Sequence, residues 1–241
     1  MVVAVIVTAA GLFLPLLLTK TKAKTAMANC ANNMKQVSLA FINWAHDNGK
    51  SSAPWGVNMS EGGTRNHPSG LQQNAWFQYA WISNQLLLNP KVLACPSDKQ
   101  AKPAETFTGS AQGGFVHPNY QDEACSYILG LEGGAGVGVS GPGEDARLLA
   151  LELFQDFLLI ADRNINTSST TDVCSQSRTP AHRLVVGASR WLPQSDYGHG
   201  TIGNVAVWDG SVQKTSAKEL NEIIARCDLN SVHCLLPRPP R

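Results

Sequence analysis

Charge is scarce in this chain and balanced where it occurs. Only 15 % of the 241 residues are Asp, Glu, Lys or Arg, and the formal net charge is +1. That leaves no basic footprint for a nucleic-acid partner. No two cysteines stand in a CxxC pair, the short spacing that most structural zinc sites show. No GxSxG elbow is present for a hydrolase nucleophile, and no DxDxDG loop for calcium. No Lys or Arg precedes the first apolar run, so the basic n-region of a secretory signal peptide is missing too. What is plentiful is apolar surface, at 43 % of residues, together with 21 Gly and 13 Pro. The length suits one globular domain with an appendage.

Six cysteines, Cys30, Cys95, Cys125, Cys174, Cys227 and Cys234, are spread along the chain. In an exported protein such an even set reads as disulfides. Cys227 and Cys234 enclose a short loop and form the first candidate pair; Cys30 with Cys95 is the second. No metal site and no cofactor is expected.

Residues 2–18 (VVAVIVTAAGLFLPLLL) carry no charge and one polar residue, Thr8. As a helix they rise about 25 Å, somewhat short of a hydrocarbon core of about 30 Å. Pro15 falls inside this run, where a membrane helix tolerates it as a kink. Beyond it, Met27, Cys30, Met34, Val37, Phe41 and Trp44 recur at steps of three and four, one apolar stripe on a continuing helix. Asn29, Asn32, Asn33, Lys35, Gln36 and Asn43 take the other face. Asn48-Gly49 is a C-terminal stop. The pattern predicts a single helix of about 45 residues, with residues 1–19 as its transmembrane part and 20–49 as its amphipathic continuation. A cleaved signal followed by an ordinary core helix is the competing reading.

Residues 50–241 then form a head. The reading places a loop over 50–70, a helix over 71–88, short strands at Lys91–Cys95, Cys125–Leu131 and Phe157–Asp162, and a long polar insertion over 164–188. A β-hairpin follows, from Gly203–Trp208 through Asp209-Gly210 into Ser211–Lys214. A last helix over Ser216–Cys227 has the capping pattern of Ser216 with Glu219. One long helix followed by antiparallel strands is an α+β arrangement.

Several strings carry a family resemblance. Leu14-Pro15, the Lys20 to Lys24 stretch and Cys30-x-Asn32-Asn33-Met34-Lys35-Gln36 resemble the post-membrane part of type IV pilin-like proteins. They are most similar to type II secretion pseudopilins of the kind abundant in Verrucomicrobia and Planctomycetes. CPSD (Cys95–Asp98), SYILGLE (Ser126–Glu132), LLIADRN (Leu158–Asn164) and an H-x9-DG motif (His199, Asp209, Gly210) follow in the family's order. The resemblance implies a long N-terminal helix, transmembrane at its start, packed on a small antiparallel sheet with a short C-terminal helix. It implies a structural subunit and no enzyme, anchored as a single pass in the inner membrane with its head in the periplasm, or outside the cell once assembled. Implied partners are other pilin-like subunits, inner-membrane components of the secretion machine and the lipid bilayer, with neither nucleic acid nor nucleotide. The prepilin leader, its cleavage-site Gly and the following Phe-Thr-Leu-Ile-Glu do not occur here. Residues upstream of Met1 would extend the apolar run to about 24, a comfortable span. Lys20, Lys22 and Lys24 would meet lipid headgroups, although the positive-inside rule alone would keep them cytoplasmic.

Other patterns have plainer explanations. Gly136-x-Gly138-x-x-Gly141 runs into Pro142, and Gly198-x-Gly200-x-x-Gly203 enters a strand, so neither has the strand–turn–helix setting of a dinucleotide site. His199 and Asp209 would make a catalytic pair only with a nucleophile on a defined elbow; a hairpin turn accounts for Asp209-Gly210. Asp98, Asp162, Asp196 and Asp209 are too scattered to read as a calcium loop. Two alternatives to the pilin-like subunit stand: a membrane-anchored periplasmic binding domain that never polymerises, and an exported hydrolase.

Overall fold

The computed structural model describes residues 2–132, 155–167, 182–193, 199–227 and 231–237, with side chains from Thr21 onward. The three-four spacing of the N-terminal stripe becomes one uninterrupted helix, α1 (Val2–Asp47). Its 46 residues span about 69 Å. It ends where expected: the Asn48 side chain donates to the Trp44 carbonyl at 2.8 Å and Gly49 takes φ 63. The predicted transmembrane part and the bend at Pro15 fall on side chains outside the described ones. Among the described residues no helix is long and apolar enough to cross a membrane.

Of the stripe, Cys30, Met34, Val37, Phe41 and Trp44 are buried, while Met27 is half-buried at its edge. Thr21 to Thr25 are exposed, so burial of α1 begins at Cys30. Asn33 departs from the expected polar face, because its amide reaches into the head and donates to the Ala94 carbonyl at 3.2 Å. The Phe41 ring meets Trp55 edge-on at 5.0 Å and lies 6.0 Å from Tyr79.

The stripe packs on an antiparallel sheet of six strands in the order β3-β6-β1-β2-β4-β5. These are β1 (Tyr127–Gly130), β2 (Leu158–Asp162), β3 (His182–Val185), β4 (Gly203–Val207), β5 (Val212–Thr215) and β6 (Ser231–Leu235). The central strands β1, β2 and β4 are buried throughout, because both faces are covered. One face presents Leu129, Ile160 and Ala206 to α1 and to the short helix α2 (Ala75–Trp81). The other presents Ile128, Leu158, Ala161, Val205 and Val207 to a second core under α3 (Ala217–Arg226). In α3 the Ser216–Glu219 capping box forms in both directions. The architecture is α+β: a long N-terminal helix, a six-stranded antiparallel sheet and a short C-terminal helix.

Several expectations need correction. The helix predicted over 71–88 shortens to a single turn at Leu71–Gln73 followed by α2. Beyond α2 the chain breaks helical geometry, with Leu87 and Leu88 at positive φ. Lys91–Cys95 is no strand: Pro90–Leu93 forms a 3-10 turn, set by Pro90 at its start and by the Asn89 side chain accepting from the Lys91 N–H. Strand β3 lies within the segment read as a polar insertion. It is an edge strand with only Leu184 buried, which hides the apolar alternation that marks a strand. Strand β6, Ser231–Leu235, was not anticipated either.

The Asp209-Gly210 turn forms as expected, closed by the Gly210 N–H on the Val207 carbonyl at 2.9 Å. Asp209 Oδ1 accepts from the Ser211 N–H at 2.6 Å. Gly210 sits at φ 82, and a Cβ there would lie 3.2 Å from Leu39 and 3.3 Å from Ile42 of α1. Replacing Gly210 by Ala is expected to destabilise the chain by more than about 1 kcal/mol, from the left-handed backbone alone. Urea unfolding of the two proteins checks this; an unchanged midpoint would show that the turn relaxes away from α1.

Candidate functional site

The residue blocks singled out in the sequence converge at one place, where α1 first touches the head. Cys30 of α1 is joined to Cys95 by a disulfide, with Cα atoms 4.9 Å apart. The CPSD turn that carries Cys95 closes through the Asp98 N–H on the Cys95 carbonyl at 2.9 Å. The Cys95 N–H donates to Ser126 Oγ at 2.9 Å, and Ser126 Oγ donates to Asp98 Oδ2 at 2.7 Å. Arg163 then grips Asp98 with both prongs of its guanidinium, Nε to Oδ2 at 2.6 Å and Nη2 to Oδ1 at 2.8 Å. Both side chains are at most 5 % exposed. A two-pronged charge-assisted contact of this kind gives direction as well as strength.

His199 completes the cluster. Its Nε2 lies 3.5 Å from Cys95 Sγ and 3.7 Å from Asp162 Oδ2. The loop carrying it is held by Asn164, whose amide donates to the Gly200 carbonyl at 3.0 Å. Asp162, at the end of β2, accepts from the Asn204 backbone and side chain at 2.7 and 3.1 Å. Its other oxygen, Oδ1, is buried with no hydrogen-bond partner among the described residues.

Burial pushes the Asp162 carboxyl up to about 7; the two Asn204 hydrogen bonds oppose that shift and the Asp98 charge adds to it. Burial lowers the His199 pKa, and the Lys214 charge lowers it further. The imidazole is therefore neutral around pH 7. A cavity of about 440 Å³ opens beside His199. Lys24, Met27, Ser97, Ile202 and Lys214 also line it, between α1 and the hairpin.

Sequence reasoning had linked His199 with Asp209, but the two stand at opposite ends of β4. Asp209 is exposed in the turn, and His199 is turned toward the disulfide. Of the scattered carboxylates, Asp98 and Asp162 do meet here, Asp209 does not, and Asp196 lies outside the described residues. The first GxGxxG lies outside them as well. The second begins there and ends at Gly203, which opens a strand and not a helix.

The first disulfide candidate is not made. Cys234 keeps a free, buried thiol in β6, and the Cys227 thiol turns back toward the Ile223 carbonyl of its own helix at 3.9 Å. The second candidate is the one formed. The Asp98–Arg163 and Asp162–Asn204 contacts were not anticipated. Their only trace in the sequence was that CPSD and LLIADRN had stood out as blocks. No protein-family model, curated protein or solved structure matches the chain.

Two outcomes follow from the buried charges. Arg163→Met leaves the buried Asp98 carboxyl without its partner and is expected to cost about 3–5 kcal/mol in denaturant unfolding; a loss under 1 kcal/mol would mean that Ser126 and the Gln100 N–H, which donates to Asp98 Oδ1 at 3.1 Å, suffice. Asp162 holds its proton more tightly folded than unfolded, where its value is near 3.8. Stability of the oxidised chain should therefore fall as pH rises from about 4 to about 7 and level off above that. Asp162→Asn keeps an acceptor for Asn204 and removes the ionisation. It should flatten that profile and raise stability at pH 8 by up to about 4 kcal/mol. Parallel profiles for the two proteins would place the titration elsewhere.

Proposed function

We propose that this chain is a pilin-like structural subunit or accessory of a type II secretion or type IV pilus-like machine. In this reading it is rooted in the inner membrane by the first part of α1 and displays the sheet-bearing head in the periplasm or beyond. The observation that carries the reading is the division of α1. From Cys30 to Ala45 the helix lies on the sheet, whereas Thr21 to Thr25 are exposed and the helical backbone continues to Val2. A helical rod extending so far beyond its own head gains little stability from that head. Lipid and the rods of neighbouring subunits would supply the missing contacts. Exposed Lys22 and Lys24 sit between the apolar run and the head, at the level where headgroups would lie. The buried disulfide suits an oxidising compartment.

The role is structural and not catalytic. His199 faces a disulfide, whose sulfurs are not available as nucleophiles, and Asp209 lies at the other end of its strand. One observation favours a second reading, an anchored binding domain that does not polymerise: the cavity beside His199, with two lysines in its wall. Cross-linking of the full chain expressed in cells separates the two. Single cysteines introduced at Thr21 and Lys24 should cross-link copies of the subunit in membranes and in sheared filament fractions. A monodisperse monomer without such cross-links would overturn the pilin-like reading and leave the anchored binding domain.

A further inference from the structure

The absence of a CxxC pair argued against a metal, yet the fold assembles a donor set from segments far apart in sequence. Cys30 Sγ, Cys95 Sγ and a ring nitrogen of His199 all lie within 4.8 Å of one another. We propose that, when Cys30 and Cys95 are reduced, these three side chains bind a zinc ion, so that the junction between α1 and the head has two interchangeable clamps, a disulfide and a metal.

The donor chemistry fits. Two thiolates and an imidazole are a familiar zinc set, and a tetrahedral site with bonds of about 2.3 Å to sulfur and 2.0 Å to nitrogen sets its donors roughly 3.5–3.8 Å apart. The Cys95 Sγ to His199 Nε2 separation is already 3.5 Å. On reduction only the two sulfurs need to part, by rotation of side chains on fixed backbones. A second, independent feature points to the same ion. The Asp162 carboxyl is 3 % exposed; its Oδ2 stands 3.7 Å from His199 Nε2, and its other oxygen, Oδ1, is buried with no hydrogen-bond partner among the described residues. A cation at the three donors would give that carboxylate a counter-charge a short distance beyond the His199 nitrogen. His199 also lines the cavity of about 440 Å³, so one of the three donors borders open space.

The exchange balances. A dithiol reductant passes two electrons and two protons to the Cys30–Cys95 bond and becomes a disulfide itself. Zinc then displaces the two thiol protons into water. Oxidation by a disulfide-bearing partner runs the sequence backwards and releases the ion. The proposal does not depend on the pilin-like reading, because it concerns only how α1 is held to the head.

Cobalt(II) is the probe. The full chain is reduced with dithiothreitol, freed of reductant without air, and titrated. One equivalent is expected, with thiolate-to-cobalt charge-transfer absorption and the intense visible bands of a tetrahedral ion, which zinc then bleaches. The oxidised chain should show neither. His199→Ala should weaken cobalt binding by about 100-fold or more, and Asp162→Asn by about 10-fold. The double variant Cys30→Ala/Cys95→Ala should lose the signal. If that variant does not fold, alkylation of the reduced chain under native conditions decides instead: zinc should slow the modification of Cys30 and Cys95 and leave the rates at the other cysteines unchanged. A reduced chain that takes up no cobalt, a signal that survives the double variant, or protection confined to other cysteines would each overturn the proposal.

Discussion

The Cys30–Cys95 bond stands at the first fully buried residue of α1, where the close packing of helix on head begins. Toward the C-terminus from Cys30, each turn of the helix has a partner on the sheet or under α2. Toward the N-terminus Met27 is half-buried and Thr21 to Thr25 are exposed. A long lever attached to a small body concentrates any bending force at that boundary, and packing alone resists it poorly because apolar contacts are non-directional. A covalent bond there does what burial cannot. It also closes a loop with a sequence separation of 65, which in the chain-entropy picture stabilises by about 4 kcal/mol.

The bond in turn depends on a buried ion pair. Cys95 is positioned by a turn whose Asp98 is held by Ser126 and by both prongs of Arg163. Such a pair contributes little net stability relative to apolar residues of the same size, since both groups lose their hydration. Its value here is directional: Ser126 and Arg163, which flank β1 and β2, fix one carboxylate, and that carboxylate fixes the turn. The adjacent Asp162 has no guanidinium to compensate it, so it favours its proton. Burial is the main cause, and the nearby Asp98 charge adds to it. The neutral His199 beside them is consistent with the same economy of charge.

The helical elements were the most legible part of the fold. Met27 to Trp44 advertised α1 through period, and Ser216 with Glu219 advertised α3 through capping, because both signals are local. The central strands stood out as short apolar runs. The edges β3 and β6 did not: the His182–Val185 segment buries one side chain, and Ser231–Leu235 mixes polar and apolar residues. What makes them strands is pairing with each other and with β1, a tertiary fact. The site was legible as fragments only. Nothing in the spacing of Cys30, Cys95, Asp162 and His199 shows that they meet, since each comes from a different element. Short loop length made Cys227 and Cys234 look like the natural pair, yet the direction in which a strand and a helix point their side chains overrides proximity along the chain.

Strand β4 explains why His199 and Asp209-Gly210 belong to one motif without touching. The strand runs beside α1, with His199 against the disulfide near Cys30 and Gly210 against Leu39 and Ile42. Along α1 the distance from Cys30 to Leu39 is about 13 Å, and the five residues of β4 reach about 17 Å as a strand. The nine intervening residues therefore act as a ruler that seats one end of the hairpin at the clamp and the other on the helix two and a half turns later. A residue gained or lost within β4 would turn Val205 and Val207 out of the second core and Ala206 away from α1, because strand side chains alternate. It would also carry either His199 off the disulfide or Gly210 off Leu39. The spacing is thus set by two simultaneous contacts with the same helix, and those contacts join the clamp at the base of α1 to its packing along the sheet.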